Sequence, residues 1–271
     1  MIYSTFSSVL KTTSSALLLG MSLALFGIGT ATQAQDAGKQ SLSQAASDPT
    51  ASLMSFQLQT FYTSSLYNLP GKSSKKLQFR AAIPYTLGNT NNIARITVPY
   101  MVDTPSGASG FGDITVFNLT VFNRSWGRWG AGIVALLPTG KNDLSAEKFA
   151  VGPAVGVAAP SGKWLFGLFN QNLFTVSGDS GKPDVNISTL QPILNHSLTN
   201  HWSVGLSEMT IVYDWDAGRF TSLPLGVKLA KLVKLGGHPV QLMGSYEHNF
   251  YDQGTGPKDT FQFTMKLLLP K

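Results

Sequence analysis

The chain has 271 residues, of which 43% are hydrophobic and only 13% charged, with 27 glycines, no cysteine and a net charge of +6. So little charge argues against an ordinary cytosolic enzyme, where roughly 25% is usual, and against disorder, which needs high charge and few apolar residues. The absence of cysteine excludes disulfide scaffolds, thiolate metal sites and cysteine nucleophiles. The positive balance reflects few acids, and the scattered lysines and arginines form no patch for nucleic acid.

At the N-terminus a polar stretch with one cation, Lys11, precedes an apolar run from Ala16 to Ile28 and then small residues ending in Thr32-Gln33-Ala34. This is the three-part layout of a secretory signal peptide, predicted over 1–34 with cleavage near Ala34. The run is about 13 residues, short of the ~20 a spanning helix needs, so an uncleaved anchor is the weaker alternative. Residues 35–50, rich in Gln and Ala, read as a short periplasmic segment able to form a helix that enters and plugs a barrel. A single barrel domain is expected over 51–271.

From there the chain alternates with the period of two expected of strands. Leu77, Phe79, Ala81 and Ile83 interleave with Gln78 and Arg80; Ala94, Ile96, Val98 and Tyr100 with Arg95 and Thr97. Later, Leu223, Leu225, Val227 and Leu229 interleave with Gly226 and Lys228, and Phe261, Phe263, Met265, Leu267 and Leu269 with Gln262, Thr264 and Lys266. Twelve strands are predicted near 52–62, 75–86, 93–102, 112–123, 127–138, 148–160, 163–176, 185–198, 201–214, 219–233, 237–250 and 258–269. Over 164–176 and 202–213 apolar residues fall on both faces, and sides cannot be assigned there. Lys228, Lys231 and Lys234 also suit one stripe of an amphipathic helix, but the strand reading keeps an even strand count and the Gly236-Gly237 turn.

Even-numbered connections are short, as at 160–163, 198–201 and 234–237, and odd-numbered ones are longer, as at 64–74, 103–110, 139–147 and 177–184. That asymmetry is typical of up-and-down barrels of the bacterial outer membrane, with short periplasmic turns. Trp126, Trp129, Trp164 and Trp202 lie beside the short turns. Tyr62, Phe111, Tyr213, Trp215, Phe220, Phe250, Tyr251 and Phe261 lie near the long loops, which suggests two interfacial girdles. A soluble sandwich or barrel also alternates, so alternation alone does not decide. The signal peptide, low charge, aromatic ends and loop asymmetry together favour an all-β, antiparallel transmembrane barrel of about twelve strands.

The sequence resembles bacterial outer-membrane barrel proteins of the "transporter", or meta-pathway of phenol degradation-like, family. The resemblance rests on Asp48-Pro49-Thr50-Ala51-Ser52-Leu53, Gly110-Phe111-Gly112-Asp113-Ile114, Trp129-Gly130-Ala131-Gly132, Leu136-Leu137-Pro138-Thr139, Gly152-Pro153-Ala154, Val176-Ser177-Gly178-Asp179, Pro183-Asp184-Val185-Asn186, Leu190-Gln191-Pro192, Tyr213-Asp214-Trp215 and the terminal Leu268-Leu269-Pro270-Lys271. It implies an outer-membrane barrel that takes up small molecules, sometimes aromatic ones. The family usually ends in Phe-Pro-Lys, whereas here the residues are Leu269-Pro270-Lys271, and the terminal aromatic residue that assembly machinery reads in many outer-membrane barrels is not among them.

Little in the chain points to catalysis. His201 and Ser203 share a strand face, as in outer-membrane phospholipases, but no third orienting group or oxyanion donor accompanies them. His196, His201, His238 and His248 lack metal-ligand spacing. Thr139-Gly140-Lys141-Asn142 lacks the pattern of a phosphate loop. No catalytic residue, metal or cofactor is therefore expected.

A charge facing lipid at mid-depth costs roughly 2–4 kcal/mol, so mid-strand polar residues should point inward. On that argument Gln78, Arg80, Arg95, Asn118, Gln191, Lys228, Glu247 and Lys266 line the lumen. Four cations against one acid favour anionic or polar-headed solutes. The expected function is a channel or transporter for small, aromatic or anionic, solutes by passive or facilitated diffusion. Its expected partners are outer-membrane lipid, the solute and the barrel-assembly machinery, with no nucleic acid. The alternatives are a non-conducting structural or adhesion barrel, for which the loops are short, and a lipid-modifying barrel enzyme.

Overall fold

A computed structural model describes residues 40–270; the predicted signal peptide and residues 35–39 lie outside the described part. The alternating segments become strands β1 (Met54–Leu66), β2 (Ser74–Leu87), β3 (Thr90–Asp103), β4 (Gly110–Phe111), β5 (Ile114–Arg124), β6 (Gly127–Leu137), β7 (Lys148–Ser161), β8 (Trp164–Gly178) and β9 (Ile187–Ser197). They continue as β10 (Trp202–Leu206), β11 (Ile211–Asp214), β12 (Arg219–Ser222), β13 (Pro224–Leu235), β14 (His238–Asn249) and β15 (Pro257–Leu269). Three pairs, β4 with β5, β10 with β11 and β12 with β13, each make one interrupted stave, so the wall has the twelve antiparallel staves expected. Each stave pairs with its neighbours in the chain, and β15 returns onto β1 with Leu269 opposite Met54. Closure joins the first and last staves, so neither is left as a free sheet edge.

The stretch holding Lys228, Lys231 and Lys234 is strand, not helix. It turns into β14 through Gly236 and Gly237, whose φ values of 57° and 83° suit the type I′ turn that matches strand twist.

The faces are inverted relative to a soluble protein. Leu58, Phe79, Phe166, Leu229, Phe263 and Met265 are 42–51% exposed on the outside. Gln57, Gln59, Gln241, Gln262, Thr264 and Lys266 are buried inside. An exposed apolar band of this extent is foreign to a protein surrounded by water. Trp126 and Trp164 stand exposed by the short turns, and Phe111, Trp215, Phe220 and Phe250 by the long loops.

The inside itself has two halves. From β13 through β15 to β2 the inward residues are mostly polar, with Ala230, Met243 and Leu268 among the apolar exceptions. From β3 to β8, with Arg95 and Arg128 as charged exceptions, the inward residues are mostly apolar: Ile93, Phe117, Leu119, Val121, Val134, Ala150, Ala154, Phe169 and Leu173 form one buried cluster. Their small members follow the space available: at Gly156, the next inward position on β7, a Cβ would stand 3.1 Å from the Phe169 ring and 3.2 Å from Thr50.

Two wall irregularities matter. Proline has no N–H to donate, and around Pro153 the β7–β8 ladder skips; the Asn172 side-chain amide donates to the Pro153 carbonyl at 3.2 Å. On the ninth stave, β9 pairs with β10 as far as Asn195–Gly205 and with β11 from Leu190–Ile211. Residues 207–210 between them leave the ladder, with Ser207 and Met209 buried.

Candidate functional site

The break at 207–210 carries Glu208 into the barrel, and the polar half of the interior converges on it. Gln241, Lys266, Gln57 and Arg80 are cross-strand partners at one level. Arg80 Nη1 donates to Glu208 Oε2 at 2.7 Å, and Lys266 Nζ lies 3.7 Å from Glu208 Oε1. One level on, Gln78 donates to Gln59 at 2.8 Å, and Gln59 donates to the same carboxylate at 3.3 Å. The carboxylate thus ties three wall strands to the displaced segment across the interior.

This waist divides the space. On the long-loop side lies a cavity of about 360 Å³ bordered by Lys76, Gln78, Arg80, Glu208 and Glu247. On the short-turn side lies a smaller one of about 70 Å³ bordered by Arg80, Arg95, Gln191, Glu208, Lys228 and Lys266. The Arg95 guanidinium lies over Phe117, 4.0 Å from the ring centroid, and 5.4 Å from that of Phe169.

Residues 40–53 form the floor of the second cavity. A single helical turn, α1 (Leu42–Ala45), is closed by a capping box between Ser41 and Gln44. Gln44 donates to the carbonyls of Gly162 and Trp164 at 3.0 and 3.1 Å, fixing the turn to the short β7–β8 connection. Asp48 pairs with Arg128, Lys266 donates to the Ala46 carbonyl at 2.7 Å, and Lys228 donates to the Ser47 hydroxyl at 3.2 Å. Ala46, Ala51 and Leu53 pack on Leu268.

Of the eight residues expected in the lumen, Gln78, Arg80, Arg95, Gln191, Lys228, Glu247 and Lys266 face the interior. Gln191 does so opposite the buried Phe169. Six of them meet around Glu208 or in the cavity below it, and Glu247 stands apart in the upper cavity. Asn118 is a correction. Its neighbours Phe117 and Leu119 point inward into the apolar cluster, so Asn118 points outward beside Ile133, where its Oδ1 accepts the Tyr85 hydroxyl at 2.8 Å. The rule that polar means inward fails on this side because the interior there is apolar. Glu208 was missed because it sits in the stretch whose faces the sequence left ambiguous. Arg128 was missed because its partner, Asp48, lies outside the strands.

The His201–Ser203 pair is not assembled. Ser203 is buried in the wall with its hydroxyl unpartnered, whereas His201 is exposed in the turn at φ 63°.

No protein-family model matches the chain, and no curated protein matches it in sequence. Solved structures do. The COG4313 outer membrane channel from Pseudomonas putida F1 superposes with a TM-score of 0.59 at 14% identity, over 80% of this chain and 96% of that one. The fold is that of an outer-membrane β-barrel. Outer membrane phospholipase A from Escherichia coli gives a TM-score of 0.45 at 13% identity, over 80% of this chain and 92% of that one. A mutant Rh. blastica porin gives 0.30 at 11%, over 80% and 99%.

Proposed function

We infer that the chain is an outer-membrane channel that admits small solutes by diffusion or facilitated diffusion, with its short turns and N-terminal segment on the periplasmic side. The observation that carries this reading is the interior: two cavities, each lined by charged and amide side chains, meet at a waist where one carboxylate, Glu208, pairs with Arg80 and Lys266. A barrel that served only as a scaffold has no need of charges in its core, since replacing them with well-packed apolar residues is neutral or stabilising. The fold shared with the Pseudomonas putida channel supports the same reading. Cleavage near Ala34, insertion by the barrel-assembly machinery and residence in the outer membrane belong to this proposal.

The seat of residues 40–53 favours a resting state that is closed on the periplasmic side. Transport then requires either a path beside the segment or its release.

The test is swelling of liposomes holding the refolded mature chain, after a heat-modifiable shift on a gel has shown the barrel folded. Sugars, amino acids, benzoate and phenol are offered in turn. Solute-dependent swelling is the expected result. A folded barrel that swells with no solute, even after residues 35–53 are deleted, overturns the channel reading in favour of a structural barrel.

A further inference from the structure

The cavity below the waist has an unusual charge account. Four cations border it: Arg80, Arg95, Lys228 and Lys266. Glu208 answers Arg80 and Lys266, and the other carboxylate at its edge, Asp48, is taken by Arg128. Among the described residues no carboxylate lies within salt-bridge reach of Arg95 or Lys228. Lys228 has one neutral hydroxyl partner, Ser47. Arg95 has no hydrogen-bond partner among the described residues: its guanidinium lies over the Phe117 ring, and its side chain lines the cavity. Positive charge drawn out of bulk water without a counter-charge is costly unless an anion completes it.

The surroundings of Arg95 narrow the class of anion. It stands where the polar and apolar halves of the interior meet, with Ile93, Phe117 and Ile193 lining the cavity on one side and Lys228 on the other. An arginine pre-stacked on an aromatic ring keeps its planar fork for bidentate binding of a carboxylate. We propose that this cavity is a binding site for a small organic monocarboxylate with a compact apolar body. Arg95 takes the carboxylate, Lys228 supplies the second positive charge, and the apolar body rests on Ile93 and Ile193, beside the Phe117 ring that Arg95 covers. The site deepens the channel reading and rests on it for its biological use, but its occupancy is measurable without transport.

The test is a ¹⁹F NMR titration of 4-fluorobenzoate into the mature, refolded chain in detergent, with 4-fluorobenzyl alcohol as the uncharged counterpart and inorganic phosphate as competitor. Saturable binding of the acid is expected, at least about tenfold tighter than the alcohol. Arg95→Gln weakens it by about tenfold or more, and Lys228→Met by a smaller factor, as loss of a charge-assisted contact predicts. Lys231→Gln, which removes a lysine over Trp202 on the outer face, leaves binding unchanged. Should Arg95→Gln fail the heat-modifiability check, Lys228→Met carries the comparison. Equal binding of acid and alcohol, or wild-type affinity in both folded variants, overturns the proposal. So does displacement by phosphate at equal concentration, which would mark a site for inorganic anions. Swelling without benzoate binding sinks this site and leaves the channel; binding without swelling does the reverse.

Discussion

Asp48, in the segment that precedes the first strand, forms a buried ion pair with Arg128 on β6. The same carboxylate accepts the Thr50 backbone N–H at 2.7 Å and the Thr50 hydroxyl at 2.6 Å. One side chain therefore both turns the chain toward the barrel wall and fastens it there. Removing one partner of a buried pair leaves the other charge uncompensated, at a cost of about 3–5 kcal/mol. The barrel's own ladder does not depend on the pair, so the cost falls on the seat of the segment. Asp48→Ala should make residues 40–53 sensitive to proteolysis while the heat-modifiable shift of the barrel persists. Unchanged protease resistance would show that other contacts hold the segment.

Gly156 tests the same seat from the wall side. A Cβ there meets Thr50 and Phe169 at distances tighter than ordinary packing. Gly156→Val forces either the segment or the Phe169 ring to move, an overpacking cost of roughly 1–3 kcal/mol. Faster solute entry in swelling assays, with the barrel still folded, is the expected outcome. A variant indistinguishable from wild type in both proteolysis and swelling would show that the segment has slack at Thr50.

At the waist, Glu208 is, among the described residues, the one acid paired with Arg80 and Lys266. Glu208→Gln leaves these cations unanswered and makes the narrowest part of the path more positive. Anion preference over potassium, read from the reversal potential across a planar bilayer in a KCl gradient, should rise by roughly fivefold, a modest share of the Coulomb energy of one charge at a partly wet site. Arg80→Gln should move it the other way. A reversal potential blind to both changes would place the conducting path elsewhere.

How far the sequence discloses this arrangement depends on what each residue faces. Where the barrel has lipid outside and polar groups inside, as along β13 to β15, parity alone places Lys228, Glu247 and Lys266. Opposite that half the contrast is lost, because Phe117, Leu119 and Val121 are apolar and inward, and Asn118 between them is misread. Glu208 is invisible to parity for another reason: residues 207–210 are not strand, and alternation says nothing about a segment that has left its ladder. The division of the interior by one carboxylate between two cations, and the absence among the described residues of an ion-pair partner for Arg95, depend on contacts between distant strands that no local pattern encodes.

The lipid face can be tested with one substitution. Leu229 lies near the middle of β13, 48% exposed, and its outward neighbours across the strands are Val204 and Gly244. If hydrocarbon surrounds this face, Leu229→Arg places a charge near mid-depth and lowers folding stability in vesicles by roughly 2–4 kcal/mol. If water surrounds it, the same change falls within about 0.5 kcal/mol of neutral, as exposed substitutions do. Reversible denaturant titration into lipid vesicles separates the two. The first result is expected, because a belt of Leu58, Phe79, Phe166, Leu229, Phe263 and Met265 has no counterpart among surfaces that meet water.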